Sequence, residues 1–263
     1  MSQPTALPVS VVIVAKNEVH NLPRCLASVQ GWVSEIVVAL NDTTDDSEAI
    51  CRSYGASVHH LPWQGYRDTK NVALALASKP WALALDADEE VSGKLRQKIE
   101  EFFASGSSEN HSGARFPRKV FFLGRWISHG DWYPDYSLRL FRRDQAAWSG
   151  TPFVHEKIKI TGHVALLKAD LLHYPFPTMN VCLEKIPVYA ELFAKQQIAD
   201  GRKFSFLQAL TRPPWRFFRA YILRGGFLDG FPGLCVAWLT AFGAFKRYSR
   251  WYEMLHEQKP PNA

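Results

Sequence analysis

The sequence predicts an α/β protein, with a parallel-rich central sheet flanked by helices and a helical C-terminal extension. Three observations lead there. Through residues 9–90, short apolar runs alternate with stretches of helical period, the grammar of βαβ units and a parallel sheet. Between 114 and 160, strand-like runs follow one another without crossover helices. From Pro177 onward the pattern is helical to the end.

The elements follow in order. The run 9–15 is rich in valine and isoleucine and uncharged, as a strand buried on both faces must be. A helix is predicted over 21–30, with Leu22, Leu26 and Val29 at helical spacing, and a second strand over 35–40. The polar turn 41–46 leads into a helix ending near Gly55. A third strand over 56–61, a third helix over 66–78, a fourth strand over 81–85 and a fourth helix over 92–103 complete this part. After a polar link, strands are expected over 114–123, 136–141 and 154–160. The helical remainder is expected to break at Pro213-Pro214 and at Gly225-Gly226. No internal repeat is visible, and the expected division is a first domain over 1–175 and a helical, basic-aromatic region over 176–263.

The composition of the 263 residues, 47% hydrophobic and 21% charged, supports a sizeable core and excludes disorder as the main state. Cys25, Cys51, Cys182 and Cys235 are far apart and form no CxxC pair, so neither a disulfide framework nor a zinc site is expected, and a reducing compartment is the simpler reading. The run 9–15 has no basic segment before it and no small-residue cleavage site after it, which reads as a strand and not a signal peptide. The uncharged stretch 231–245 is shorter than the roughly 20 residues of a spanning helix. Pro232, Gly233 and Gly243 should interrupt it, so a buried or interfacial helix is expected.

The formal net charge of +6 is unevenly distributed. Residues 202–250 hold nine lysines and arginines against the single acid Asp229, together with twelve aromatic residues, so the rest of the chain is slightly acidic. Trp215, Phe218 and Ile222 fall on one helical face, with Arg212, Arg216 and Arg219 nearby. Basic residues beside an aromatic face describe a helix at an anionic membrane surface, or equally one packed on its own domain with a solvated basic edge. No nucleic-acid motif accompanies the charge, so nucleic acid is not an expected partner.

Asp86, Asp88, Glu89 and Glu90 put four carboxylates directly after the fourth strand. Ligands of open α/β sheets bind beyond the carboxyl ends of the strands. Clustered carboxylates attract hard divalent cations, so Asp86-x-Asp88 is suited to hold Mg²⁺ or Mn²⁺ against a diphosphate. A solvated acidic turn ahead of a helix near Ser92 is the structural alternative. Polar turns at the ends of the first two strands, Asn17-Glu18 and Asn41-Asp42, favour a metal-nucleotide site.

In the stretches Val11-Val-Ile-Val-Ala-Lys-Asn-Glu18, Trp63-Gln-Gly-Tyr-Arg-Asp-Thr-Lys-Asn71 and Leu85-Asp-Ala-Asp-Glu-Glu90, the sequence resembles the family 2 glycosyltransferases. Phe122-Leu-Gly-Arg-Trp-Ile-Ser-His-Gly-Asp-Trp-Tyr-Pro-Asp-Tyr-Ser-Leu-Arg-Leu-Phe-Arg-Arg143, Val154-His-Glu156, Leu172-His-Tyr174 and Gly226-Phe-Leu-Asp-Gly-Phe-Pro-Gly233 resemble the bacterial lipopolysaccharide inner-core members of that family. The resemblance covers nearly the whole chain, and the Trp-Tyr-Pro-Asp block is its most specific part.

The resemblance implies a GT-A-type nucleotide-sugar-binding fold and an inverting transferase that moves a sugar, with glucose from UDP-glucose the leading choice. The acceptor would be the lipopolysaccharide core on lipid A, and the enzyme would lie peripherally at the cytoplasmic face of the bacterial inner membrane. It implies base and ribose contacts at Ala15, Asn17 and Glu18, and phosphate or base contacts at Lys70 and Arg67. Asp86 and Asp88 would bind the metal-diphosphate. Asp135 would be the base that deprotonates the acceptor hydroxyl, and Arg139, Arg142 or Arg143 would face the departing diphosphate. His155 and Glu156 are second candidates, as metal ligand and as base. Where relatives usually carry a base-binding aspartate, this chain has Leu40, which leaves Asn41 or Asp42 as substitutes, while Asp45 matches a later residue of that turn and would also serve as a helix cap. A nucleotidyltransferase acting on a sugar phosphate, and a glycolipid-binding module without catalysis, are the alternatives from other classes.

Overall fold

The computed structural model describes residues 6–150 and 157–256. Their contacts divide into two compact units: 6–118, 135–150 and 157–173 in the first, 119–134 and 174–256 in the second.

The first unit is built on β1 (Leu7–Ala15), α1 (Leu22–Val29), β2 (Val33–Leu40), α2 (Ser47–Ser53), β3 (Ser57–His60), α3 (Tyr66–Ala75), β4 (Trp81–Asp86), β5 (Glu89–Val91), α4 (Gly93–Ala104) and α5 (Ser107–Asn110). β6 (Gly113–Phe122) follows, and its last residues pair with β7 (Arg125–Trp126) inside the second unit. β8 (Asp135–Arg142), β9 (Ala146–Ser149), β10 (Lys157–Ile160), β11 (Val164–Leu166) and β12 (Leu171–His173) complete the strands. The sheet order is β3-β2-β1-β4-β8-β6-β12-β5. β3, β2, β1 and β4 are parallel; β8 runs antiparallel to β4 and β6, and β12 antiparallel to β5.

Alternation along β1 explains the two layers of core. Val9, Val11 and Ile13 enter one cluster with α1 and α4, while Val12 enters another with Ala73 and Leu74 of α3. A strand covered on both faces reads as a continuous apolar run, and this one does. α1 buries Leu22, Cys25, Leu26 and Val29, the helical-period positions. α4 starts where Ser92 Oγ accepts the Leu95 amide hydrogen at 3.1 Å. The predicted strand 154–160 is described from Lys157 onward; 154–156 lies outside the described residues.

The second unit contains α6 (Met179–Ala199), α7 (Phe206–Phe218), a π-helical turn (Arg219–Leu223), a 3-10 turn (Gly226–Asp229) and α8 (Gly230–His256). Val120, Phe122, Ile127, Cys182, Val236 and Leu239 form its core. Two expected interruptions are absent. α7 continues through Pro213 and Pro214; it buries no residue, so water can take the carbonyls that the prolines leave unpaired. α8 runs 27 residues through Pro232, Gly233 and Gly243. Pro232 sits in the first turn, where no amide hydrogen is needed. Gly233 is required by packing, since a Cβ there would stand 1.9 Å from the Gly226 carbonyl oxygen. The expected break at Gly225-Gly226 does occur, with Gly225 left-handed at φ 66°.

By length and composition, the helical segment Gly226–His256 meets the requirement for a membrane span, with mean hydropathy 1.3 over its most apolar window, and 44% of that window is buried. All four cysteines are unpaired.

Candidate active site

The parallel strands bring the predicted polar turns to one edge. Register places Ala15 opposite Leu40 and Val14 opposite Asp86, so the carboxyl ends of β1, β2 and β4 align. The chain reverses direction across the sheet between β1 and β4, and such a switch point opens a crevice for ligands. A small pocket lies there, lined by Val12, Val14, Lys70, Asp86, Arg139 and Trp148.

The four clustered carboxylates have separate surroundings. Asp86 Oδ1 accepts from Lys70 Nζ at 3.0 Å, and its Oδ2 accepts from Arg139 Nη2 at 2.5 Å. Burial would raise the Asp86 carboxyl, but the charges of Arg139 and Lys70 prevail and hold it well below the usual carboxylate range. Lys70 also stands 4.5 Å from the Trp148 ring centroid, a cation–π contact that fixes its reach. Glu89 is fully buried. Its Oε1 accepts from Arg139 Nη2 at 2.5 Å and Arg118 Nη1 at 3.2 Å, and its Oε2 from the Asp86 amide at 3.0 Å. Glu90 Oε2 lies 3.9 Å from Arg24 Nε. Asp88 Oδ2 is 3.3 Å from His173 Nε2.

Asp135 begins β8 and is 48% exposed at its side chain. Its Oδ2 accepts from Arg118 Nε at 3.0 Å and Arg118 Nη2 at 2.7 Å. A continuous path of charge-assisted contacts therefore runs Asp86–Arg139–Glu89–Arg118–Asp135. Burial opposes the charge on Arg139, yet Asp86 and Glu89 push its pKa above the ordinary guanidinium value. Of the three arginines after Asp135, Arg139 alone points into this path. Arg142 donates to the Ser108 carbonyl at 3.0 Å, and Arg143 to the Lys79 carbonyl at 3.1 Å. The half-buried Arg67 pairs with its neighbour Asp68 at 2.7 Å.

At the carboxyl ends of β1 and β2, Asn17 takes a left-handed conformation, φ 54°, and its Oδ1 accepts the Thr44 amide hydrogen at 2.8 Å. Glu18 Oε2 accepts from Asn21 Nδ2 at 2.8 Å. Leu40 is fully buried in the core cluster that includes Ala15. Asn41 is buried too, with Nδ2 donating to the Leu61 carbonyl at 2.6 Å and Oδ1 left without a hydrogen-bond partner. Asp42 is exposed, 3.9 Å from Lys16 Nζ. Asp45 accepts from the Ser47 amide at 3.1 Å and the Val19 amide at 3.2 Å, which makes it a loop and helix clamp.

His155 and Glu156 lie outside the described residues. Arg118 and Trp148 carry no sequence signal of a site, while His173 (in the Leu172-His-Tyr174 stretch) and Glu89 have no role legible from the sequence alone. Arg118 and Asp135 are register partners on β6 and β8, and Glu89 and His173 are register partners on β5 and β12, pairings that local spacing does not encode.

Fold and site together define an open α/β protein with an acidic, arginine-braced crevice at its switch point. The sequence pattern described as "Glycosyl transferase family 2" matches residues 10–160, and the chain belongs to that family. It is therefore a glycosyltransferase, and the nucleotidyltransferase alternative is set aside. It is 30% identical over 256 residues to the "Lipopolysaccharide core biosynthesis glycosyltransferase LpsC" of Rhizobium meliloti, covering 92% of this chain and 94% of that protein. It is 29% identical over 261 residues to an "Uncharacterized glycosyltransferase" of Rickettsia felis, covering 95% and 92%. The structure of S. aureus TarS 1–349 in complex with UDP-GlcNAc superposes with a TM-score of 0.51, covering 95% of this chain and 93% of that one at 14% identity. The fold is of the GT-A type.

Proposed function

We propose that this chain transfers a hexose, with glucose the leading choice, from a UDP-sugar to an inner-core sugar of lipopolysaccharide with inversion. The path Asp86–Arg139–Glu89–Arg118–Asp135 carries this reading, because it ties a donor-side carboxylate to an exposed base across one rigid network. The similarity to LpsC supports the acceptor class. Asp135 takes the proton of the acceptor hydroxyl as that oxygen bonds to the anomeric carbon. The bond from that carbon to the diphosphate breaks, and Lys70 at the pocket wall offsets charge on the leaving group. Asn41, whose buried Oδ1 has no hydrogen-bond partner, would accept from the base where the family resemblance implies an aspartate.

Asp88 and His173 would hold the divalent metal, Mn²⁺ or Mg²⁺, since a carboxylate oxygen and an imidazole nitrogen stand 3.3 Å apart there. No group of three or more side-chain ligands exists among the described residues. When bound, the metal would neutralise the diphosphate.

The second unit would meet the cytoplasmic face of the inner membrane. α7 exposes Phe206, Leu207 and Leu210 at 74%, 68% and 63%, ahead of Arg212, Arg216 and Arg219.

UDP release from a panel of UDP-sugars with lipopolysaccharide core acceptor and divalent metal tests the proposal, in wild type and in Asp88→Ala and Asp135→Asn. Full turnover in both variants would remove the mechanism. An α-configured product from an α-linked donor would remove inversion.

A further inference from the structure

Within the second unit, one carboxylate collects three guanidiniums. Asp131 lies in the 3-10 turn Gly130–Trp132, with its side chain 6% exposed. Its Oδ2 is 2.6 Å from Arg219 Nη2 and 3.4 Å from Arg216 Nη1, and its Oδ1 is 3.3 Å from Arg224 Nη1. Arg216 and Arg219 are three apart, on one face where α7 passes into the π-helical turn. Burial, and then the charges of Arg219, Arg224 and Arg212 set against the attraction of Asp131, hold the Arg216 guanidinium below its ordinary pKa. Burial and Arg216 do the same to Arg247. The Nε of Arg219 is buried with no hydrogen-bond partner.

One carboxylate thus meets three guanidiniums, and Arg212 and Arg247 add positive charge near Arg216. Like charges gathered in partly buried surroundings repel unless an anion completes them, and a single carboxylate does not balance this set. Planar guanidinium forks match phosphate oxygens in pairs, and Asp131 gathers three of them around one carboxylate. A solvated basic edge needs no buried acid to orient it and leaves no guanidinium nitrogen buried and unpaired.

We propose that the Asp131-centred arginine cluster is a binding site for a phosphate dianion, either a phosphomonoester on a lipid-borne headgroup or free inorganic phosphate. It shares no residue with the acidic crevice of the first unit. It deepens the reading of the second unit as the acceptor side, but it is measured by binding and stands or falls apart from sugar transfer.

The test titrates the full chain with inorganic phosphate by calorimetry. It also floats the chain on phosphatidylcholine vesicles containing either phosphatidic acid, a phosphomonoester, or phosphatidylglycerol, a diester. Wild type should bind phosphate or prefer the phosphatidic acid vesicles. Arg216→Gln and Arg219→Gln should each weaken that binding about tenfold, as loss of one charge-assisted contact implies, while UDP affinity stays unchanged. Preference for phosphatidic acid vesicles with little free-phosphate binding assigns the headgroup source; free-phosphate binding without vesicle preference assigns the soluble one. Arg224→Gln, half exposed, serves as a milder variant whose folding is secure, checked by its melting curve. Binding of phosphate and of phosphatidic acid vesicles that is absent in wild type, or identical in all three variants, overturns the proposal.

Discussion

Arg118 and Asp135 face each other as register partners on β6 and β8, and the arginine gives two hydrogen bonds, 2.7 and 3.0 Å, to one oxygen of the carboxylate. The same guanidinium reaches Glu89 at 3.2 Å. The carboxylate proposed as the base is thereby oriented by a side chain that is itself held by a buried acid.

Asp135→Asn should lower kcat about 10²–10⁴-fold, the usual contribution of a positioned base. Arg118→Met should lower kcat about tenfold to a hundredfold with little change in donor KM, since it removes orientation and not donor contacts. Arg118→Lys should recover only part, because an ammonium lacks the fork. Steady-state kinetics at saturating acceptor checks this; wild-type kcat in Arg118→Met would show that the pairing does not orient the base.

Glu89 illustrates a different dependence. Glu89→Gln leaves the buried guanidinium of Arg139 with less compensation, and breaking a buried pair from one side is worth about 3–5 kcal/mol. Thermal melts should show a loss of several degrees or more. Asp88→Ala, at a partly exposed position, should keep its melting temperature within a degree or two and lose turnover instead. Equal melting temperatures for Glu89→Gln and wild type would show that the path carries little of the stability.

The contrast between these two acids marks what the sequence could convey. The run 9–15, the amphipathic spacing of α1 and the position of Asp86 after β4 all follow from local pattern, because strand and helix periods are local properties. The division of labour within Asp86–Glu90 is not local. Glu89 is buried because β5 pairs with β12, about eighty residues later, and both strands have only three residues, too short to show a period. α7 is the reverse case: Pro213-Pro214 reads as a break, yet an unburied helix has water to satisfy the carbonyls the prolines abandon.

The family resemblance implies a base-binding aspartate where this chain has Leu40, so introducing one is a natural experiment. Leu40 is fully buried, and Leu40→Asp places a charge in the apolar cluster around Ala15. It should destabilise by at least about 3 kcal/mol and fail to strengthen UDP binding. Asn41→Ala should instead weaken UDP binding about tenfold, the loss of one good hydrogen bond. Tighter UDP binding in a stable Leu40→Asp protein would mean the base sits against β2 after all.

Glu35 governs part of the acid sensitivity. Its carboxylate accepts a hydrogen bond from Ser10 Oγ and another from the Ser78 amide at 2.8 Å. Burial alone would raise its pKa, but these bonds and the charge of Lys79 bring it below the ordinary value. A depressed folded pKa contributes stability above the unfolded value of about 4.3, and that contribution is lost as pH falls through the folded one. Glu35→Gln should therefore be less stable than wild type at neutral pH, by about 1–2 kcal/mol. The gap should narrow steadily below about pH 4. Denaturant midpoints at both pH values check this; a gap independent of pH would assign the loss to packing alone.

The exposed face of α7 gives the membrane reading its sharpest consequence. Leu207 and Leu210 are 68% and 63% exposed, so neither contributes much to the fold. Each would bury on insertion at a lipid interface, worth about 1.5–3 kcal/mol per side chain. Leu207→Ser with Leu210→Ser should leave the melting temperature unchanged and lower partitioning onto anionic vesicles by at least about tenfold. Turnover on a water-soluble core oligosaccharide should persist while turnover on vesicle-embedded lipopolysaccharide falls. Unchanged partitioning in the double variant would place the membrane contact on another face, or leave α7 as a helix whose apolar side serves a different neighbour.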